Sequence, residues 1–255
     1  MSDTPAQTPE LVHLEVADRV ATVTLDSPHN RNALSRQLVA ELFDRLEAAE
    51  RDEAVTVVVI RSSGRVFCSG ADLSEATSQG MEQGAREIVR LQRLIVTMGK
   101  PVVVEVGGPV RAGGIGIVAA ADVAVAAEDA TFALTEVKLG LAAAIISLTV
   151  HHRMSPRAAA LTTLGGEVFS GTEAAAYGLV TRAVPGDRLA EEVAALCASL
   201  ATGAAQGLRE SKRILNHDLL RRIDTRGDEM AALSARLFAS DEAKAAMTAF
   251  LERRK

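Results

Sequence analysis

The sequence predicts an α/β protein with a parallel sheet, followed by a purely helical C-terminal part. Short β-branched runs alternate with segments whose apolar residues recur at helical spacing, the pattern of βαβ units. Val55–Ile60 and Val102–Val106 are nearly continuous apolar runs, as expected of strands buried on both faces. From Asp187 onward no strand-like run occurs.

Taken in order, Leu11–Val16 and Val20–Leu25 are β-rich and joined by Ala17-Asp18-Arg19, which predicts a hairpin. Asp26-Ser27-Pro28-His29-Asn30 is turn chemistry. Between Ala33 and about Glu50, Leu34, Leu38, Leu42, Leu46 and Ala49 mark one face of an amphipathic helix. The strand at Val55–Ile60 leads through a Gly/Ser turn to Val66-Phe67-Cys68-Ser69-Gly70-Ala71-Asp72-Leu73. A helix over residues 81–98 stops at Gly99 and Pro101, and the strand Val102–Val106 follows. Gly107–Gly114 is a glycine-rich loop entering a short apolar helix, Ile115–Ala121, and Val123–Ala126 is another strand. Ser155-Pro156 reads as a helix start, Thr172 opens and Gly178 closes a short helix, and Leu179–Val184 is a last strand. The C-terminal helices break near Thr202-Gly203 and Ser240-Asp241, and no internal repeat or low-complexity linker is present.

Composition narrows the function. The chain is 48% hydrophobic and 24% charged, which excludes disordered and fibrous classes. Its net charge of −5 lacks the basic footprint of a nucleic-acid binder, and 3% aromatic residues with no Trp leave no stacking platform. Two cysteines, Cys68 and Cys197, make neither a disulfide framework nor a four-ligand zinc site, so no metal is expected. Met1–Glu10 has no leader pattern and no run of eighteen apolar residues exists, so the expected setting is the reducing cytoplasm, away from membranes. An enzyme acting on a small molecule fits best.

Gly114-Ile115-Gly116-Ile117-Val118-Ala119 fits the dinucleotide pattern G-x-G-x-x-A, with Glu136 twenty residues beyond Gly116. Against that reading, the following helix is short for a Rossmann crossover, and the motif sits mid-chain. Glycines at a helix start also let a ligand approach free N–H groups that stabilise negative charge, including a developing oxyanion. A second loop, Cys68–Asp72, offers a second such N–H, and two donors with one carboxylate suffice for enolate chemistry on a thioester. Two plain tight turns remain the alternative.

The residues Phe67–Leu73, Lys100-Pro101-Val102-Val103, Gly108–Gly114, Ala121-Asp122, Phe132 with Thr135–Gly140, and Gly178-Leu179-Val180 resemble the crotonase (enoyl-CoA hydratase/isomerase) superfamily. Pro28 with Arg31-Asn32-Ala33-Leu34 resembles the family's early motif on the CoA side, and the likeness is collinear from about residue 10 onward. The resemblance implies a spiral of ββα units with a helical C-terminal trimerisation region. It divides the chain into a core with the CoA and acyl site (1–195) and an oligomerisation region (196–255), assembled as a homotrimer or a hexamer of two trimers. It implies an acyl-CoA thioester whose oxygen is held by the Ala71 and Gly113 N–H groups, with coenzyme A as part of the substrate and no separate cofactor. Asn32, Ala33, Leu34, Asp72 and Leu73 would line the adenine and pantetheine path, and Arg65 and Arg253 are placed to meet CoA phosphates.

The catalytic residues carry over unevenly. Hydratases of the family hold two glutamates around one water; Gly116 stands at the first position and Glu136 at the second. One acid/base group remains, and it can still shuttle a proton. Members with only the second glutamate include double-bond isomerases, and some hydratases are atypical at the first position. The expected activity is therefore hydration of a 2-enoyl-CoA, with isomerisation or acyl-CoA binding without turnover as alternatives. Where the family has Pro-Gly-Ala-Gly-Gly this chain has Ala142–Ser147, an apolar wall that resembles members acting on bulky or branched acyl groups. Glu105 is an acid inside an apolar strand, either paired across the core or a displaced second acid. Packing or surface roles are expected for His151, His152 and Cys68.

Overall fold

The computed structural model describes residues 9–72, 75 and 78–252. β1 (Val12–Ala17) and β2 (Val20–Leu25) form the expected hairpin. Asp18 and Arg19 both take positive φ, 49° and 67°, the turn geometry that matches strand twist. α1 (Arg36–Arg51) begins where the Ser35 hydroxyl accepts the Leu38 N–H, and it buries Leu38, Leu42, Leu46 and Ala49. β3 (Val57–Ser62) starts two residues later than the apolar run, because the Thr56 and Val57 N–H groups converge on one carbonyl, that of Arg19. α2 (Ser78–Thr97), β4 (Val102–Val106), β5 (Val110–Arg111), α3 (Gly113–Ala120) and β6 (Val123–Ala127) follow.

β7 (Thr131–Ala133) leads into a 3-10 turn, Thr135–Leu139, then α4 (Ser147–Arg153), α5 (Pro156–Gly165), β8 (Phe169–Ser170) and α6 (Gly171–Tyr177). Pro156 starts α5, but the Ser155 side chain makes no capping bond. α6 is opened by Ser170 rather than Thr172: the Ser170 hydroxyl accepts the Glu173 N–H while Glu173 accepts the Ser170 N–H, a capping box. The last strand, β9, is only Arg182–Val184, since the Leu179 and Val180 N–H groups both turn back to the Ala174 carbonyl and close α6. The helical part is α7 (Leu189–Ala201), α8 (Ala205–Leu215), α9 (His217–Ala239) and α10 (Asp241–Glu252), with a break at buried Asn216 that the sequence pattern does not show.

Six strands make one sheet in the order β1-β2-β3-β4-β6-β9, parallel apart from the β1–β2 hairpin. A second sheet, β5-β7-β8, is absent from the sequence reading: β5 lies in the glycine-rich loop, and β7 and β8 in segments to which no strand was assigned. Its strands are two or three residues long, too short for a period of two to show. Val57–Ile60 and Val102–Val104 are buried at the centre of the large sheet. α7 covers one face with Leu189, Val193 and Cys197, and α9 packs along α2.

Candidate active site

Three parallel segments bring the site together. Cys68 bridges Val110, and Val110 pairs with Phe132, all in parallel sense. Continuing each segment by three or four residues arrives at Ala71, Gly113 and Glu136, so all three groups emerge at one end of the small sheet. A further parallel bridge joins Leu34 to Ala71.

The two candidate oxyanion donors are prepared by local backbone. Leu34 N–H donates to the Gly70 carbonyl at 2.8 Å, which turns the Ala71 N–H away from that bridge. Gly113 is the first residue of α3, so its N–H has no partner within the helix. Cys68 lies between the loops, and its sulfur receives the Gly70 N–H at 3.5 Å and the Gly114 N–H as well. The neighbouring Ala71 and Gly113 N–H groups have no backbone acceptor among the described residues. Burial pushes the Cys68 thiol up to about 12, which fits a packing role and removes it as a nucleophile.

Both loops are tight. Gly70 sits at φ +94, and a Cβ there would lie 2.8 Å from Ala112 Cβ. Ala112 itself holds φ 45°, ψ −121°, a region L-residues avoid, and it aims the peptide that carries the Gly113 N–H. A Cβ at Gly113 would meet Leu34 Cδ1 at 2.6 Å, and one at Gly114 would meet Cys68 Cβ at 2.6 Å. The glycines of the G-x-G-x-x-A run are thus packed against protein, not opened toward a dinucleotide pyrophosphate.

Glu136 stands on the 3-10 turn after β7, half-buried overall but with Oε2 shielded and without a hydrogen-bond partner among the described residues. Burial raises its carboxyl to about 7, only partly offset by its own backbone N–H. A carboxyl that titrates near neutrality can both take and return a proton. Gly116, the expected position of a first glutamate, is buried in α3, and a Cβ there would lie 2.7 Å from Ile146 Cγ2 and 3.3 Å from Gln92 Oε1. Gln92 is fully buried, accepts from the Thr149 hydroxyl at 2.7 Å and donates to the Ile88 and Ile145 carbonyls at 3.2 Å. Ile146 was read from the sequence only as part of the apolar wall Ala142–Ser147, and Gln92 was not singled out. Gln92 carried a usable signal, a polar residue on the apolar stripe of α2 beside Ile88, Leu91 and Ile95.

A cavity of about 300 Å³ opens between α1, α2 and α9. Leu34, Ala71, Phe43, Ile88, Ile145 and Phe238 give it an apolar lining, with Asp72 and Glu75 at its polar side. Gly113 and Glu136 lie outside that lining, and Leu34 borders both the cavity and Gly113.

The remaining expected binding residues divide. Leu34 and Asp72 face the cavity, and Asp72 accepts from Asn30 Nδ2 at 3.1 Å. Ala33 is buried and Arg65 is exposed. The Asn32 side chain is not available to a ligand: it is 1% exposed, Oδ1 accepts the Ser27 N–H at 2.6 Å, and Nδ2 donates to the Val66 carbonyl at 2.9 Å. Its role is to fix the loop before Leu34. Leu73 and Arg253 lie outside the described residues. Glu105 is half-buried and raised by burial, with Arg61 opposing the shift and Cys197 of α7 as a neighbour. That setting fits compensation across the core. His151 meets the Thr163 hydroxyl at 3.2 Å on the surface, and His152 is also exposed. No group of three or more metal-ligating side chains occurs among the described residues, and no helix there is long and apolar enough to cross a membrane.

The fold and much of the sequence recur in known proteins. An enoyl-CoA hydratase from Mycobacterium avium has a crystal structure that matches with a TM-score of 0.91 at 43% identity, over 96% of this chain and 98% of that one. A crotonyl-CoA hydratase from Syntrophomonas wolfei is 30% identical over 252 residues, 96% of each chain. A hydroxycinnamoyl-CoA hydratase-lyase from Pseudomonas fluorescens is 33% identical over 214 residues, 79% of this chain and 76% of its own. The family model for enoyl-CoA hydratase/isomerase matches residues 15–255. With the fold shared by a solved structure and the family model matched over nearly the whole length, the chain belongs to the enoyl-CoA hydratase/isomerase family.

Proposed function

We propose that the protein adds water across the double bond of a 2-enoyl-CoA, with Glu136 as its single proton carrier. The observation that carries this reading is the shielded Oε2 of Glu136, on a carboxyl raised to about 7, at the same sheet end as two N–H groups; among the described residues the oxygen has no hydrogen-bond partner and the N–H groups no backbone acceptor. The Ala71 and Gly113 N–H groups receive the thioester oxygen. Ionised Glu136 takes a proton from water as the water oxygen bonds to C3, and the C2–C3 π electrons move into the thioester enolate. Glu136 then returns that proton to C2 and the carbonyl reforms, so one water is added and the acid is regenerated. Coenzyme A enters and leaves with the substrate, and the chemistry calls on no other cofactor. The names of the full-length relatives support hydration over other outcomes. Family resemblance supports assembly as a trimer or a pair of trimers, and two free, buried cysteines suit a reducing cytoplasm.

One observation favours a second reading. Ile146 fills the space beside Gly116, leaving a single acid, and a single acid also serves to move a proton between C4 and C2 of a 3-enoyl-CoA. Incubation with crotonyl-CoA and separately with a 3-enoyl-CoA, followed by mass spectrometry, decides between them. Gain of one water from crotonyl-CoA supports hydration. A double bond moved at unchanged mass, with crotonyl-CoA untouched, supports isomerisation. Tight binding with no product from either substrate overturns both in favour of a non-catalytic acyl-CoA binder.

A further inference from the structure

A buried cluster at the far end of α3 has no part in the chemistry above. Arg153, the last residue of α4, donates through Nε to the Ala119 carbonyl and through Nη2 to the Ala121 carbonyl, both at 3.0 Å. These are the terminal carbonyls of the helix whose first residue is Gly113. Asp122 follows immediately: Oδ2 accepts the Val102 N–H at 2.8 Å and meets Lys212 Nζ at 2.8 Å, while Oδ1 accepts from Asn216 Nδ2 at 2.9 Å. Lys212 is 5% exposed and also donates to the Ile95 and Lys100 carbonyls at 2.9 Å. Asn216, 3% exposed, closes the ring by accepting from Arg153 at 3.4 Å.

Such a cluster is an expensive way to fill space, because desolvating several charges offsets most of their mutual attraction. Its geometry suggests a directional use. α3 has eight residues, about 12 Å of helix, and is buried from Gly114 to Ala120. A cation on the last carbonyls reinforces the aligned peptide dipoles, and burial spares it from salt screening. At the other end those dipoles meet the Ala112 peptide, held at an avoided conformation, and the Gly113 N–H. The helix is therefore held from behind by α4, α8 and the α8–α9 junction, while its front carries the donor.

We propose that Arg153, Asp122, Lys212 and Asn216 form a positioning cluster that sets the axis of α3, and through it the aim and polarising strength of the Gly113 N–H. The proposal rests on the reading of Gly113 as an oxyanion donor. None of the four residues touches substrate; they act through the helix.

Isotope-edited infrared difference spectroscopy on butyryl-CoA labelled at the thioester carbonyl tests both layers separately. In the parent protein the bound carbonyl stretch falls below that of free butyryl-CoA. Absence of that shift overturns the oxyanion reading, and the positioning cluster with it. In Arg153→Met the shift shrinks and kcat falls roughly 30-fold, the scale of a partly buried cation at a helix C-terminus, while KM stays near the parent value. Arg153→Lys keeps a cation on the carbonyls and returns much of the shift. A parent-like shift in Arg153→Met, with activity loss that only tracks a lower melting temperature, leaves the donor intact and overturns the positioning role alone. Should Arg153→Met fail to fold, Asn216→Leu removes the shared amide without removing a charge. A reduced shift there supports the proposal, and an unchanged one overturns it.

Discussion

Replacing Glu136 by glutamine should make the protein more stable in alkaline solution and nearly inactive everywhere. The native carboxyl titrates at about 7, above its ordinary value of 4.5, because burial penalises the anion. The folded state therefore holds this proton more tightly than the unfolded chain does. Below the unfolded value both states are protonated and the residue costs nothing; stability is lost as pH rises through the folded value, and above it the full penalty applies. That penalty is about 3 kcal/mol, by the free-energy equivalent of each pH unit. For a chain of this size it corresponds to roughly 6–12 °C in melting temperature. Glu136→Gln cannot ionise, so it should melt several degrees above the parent at about pH 9 and close to it at about pH 4. Any packing defect of the amide adds equally at both pH values, so the difference between them isolates the ionisation. Parent activity should climb through about pH 7, and the variant should lose a factor of about 100 or more. An equal melting offset at both pH values would refute the burial argument for Glu136 as a neutral-range acid.

Three further outcomes follow from backbone and packing geometry. Gly113→Pro deletes one donor and should lower kcat by about 100-fold to 1,000-fold. Because a Cβ there meets Leu34 Cδ1 at 2.6 Å, the same change in a Leu34→Ala background separates the lost N–H from the crowding. Ala112→Gly relieves a φ of +45° and should raise the unfolding free energy by about 1 kcal/mol in urea titration; a loss instead would mean that the conformation is not strained. Gly116→Glu alone should destabilise by about 1–3 kcal/mol through overpacking against Ile146, and Ile146→Ala in the same chain should restore part of it. Equal stability of single and double variants would show that Ile146 does not own that space.

Much of the large sheet was legible because its strands are continuous β-branched runs; Val102–Val106 begins and ends as expected. Legibility failed where backbone bonds, not side chains, decide the boundary. Leu179 and Val180 look like strand residues, yet their N–H groups return to Ala174. β5, β7 and β8 are too short to leave a period, although they are what aligns the candidate catalytic loops. The candidate site residues themselves were reached through motif resemblance, and the chain's own physics is consistent with them: a shielded acid at Glu136, and N–H groups at Ala71 and Gly113 with no backbone acceptor among the described residues. Asn32 is a motif residue whose side-chain polar atoms are consumed inside the fold, a use that the motif alone does not reveal. The meeting of Gln92 and Ile146 beside Gly116 was not legible, although Gln92 interrupts an apolar stripe and Ile146 lies in the expected wall, because nothing in a one-dimensional pattern says which side chain will fill the gap beside a glycine.

The parallel alignment of Cys68, Val110 and Phe132 has an evolutionary consequence. Two of the three groups it gathers are main-chain N–H groups, which every residue except proline possesses. Selection at Ala71 and Gly113 can therefore act only on size and backbone conformation, never on chemical identity. New activities can arise on this scaffold by exchanging side chains around a charge-stabilising centre that mutation rarely removes. A glycine can stand at Gly116 with Ile146 filling the space beside it, while the two main-chain N–H groups proposed to hold an enolate are kept. Divergence in such a lineage should concentrate in the walls, in residues such as Ile145 and Phe238, and spare the peptide groups that do the holding.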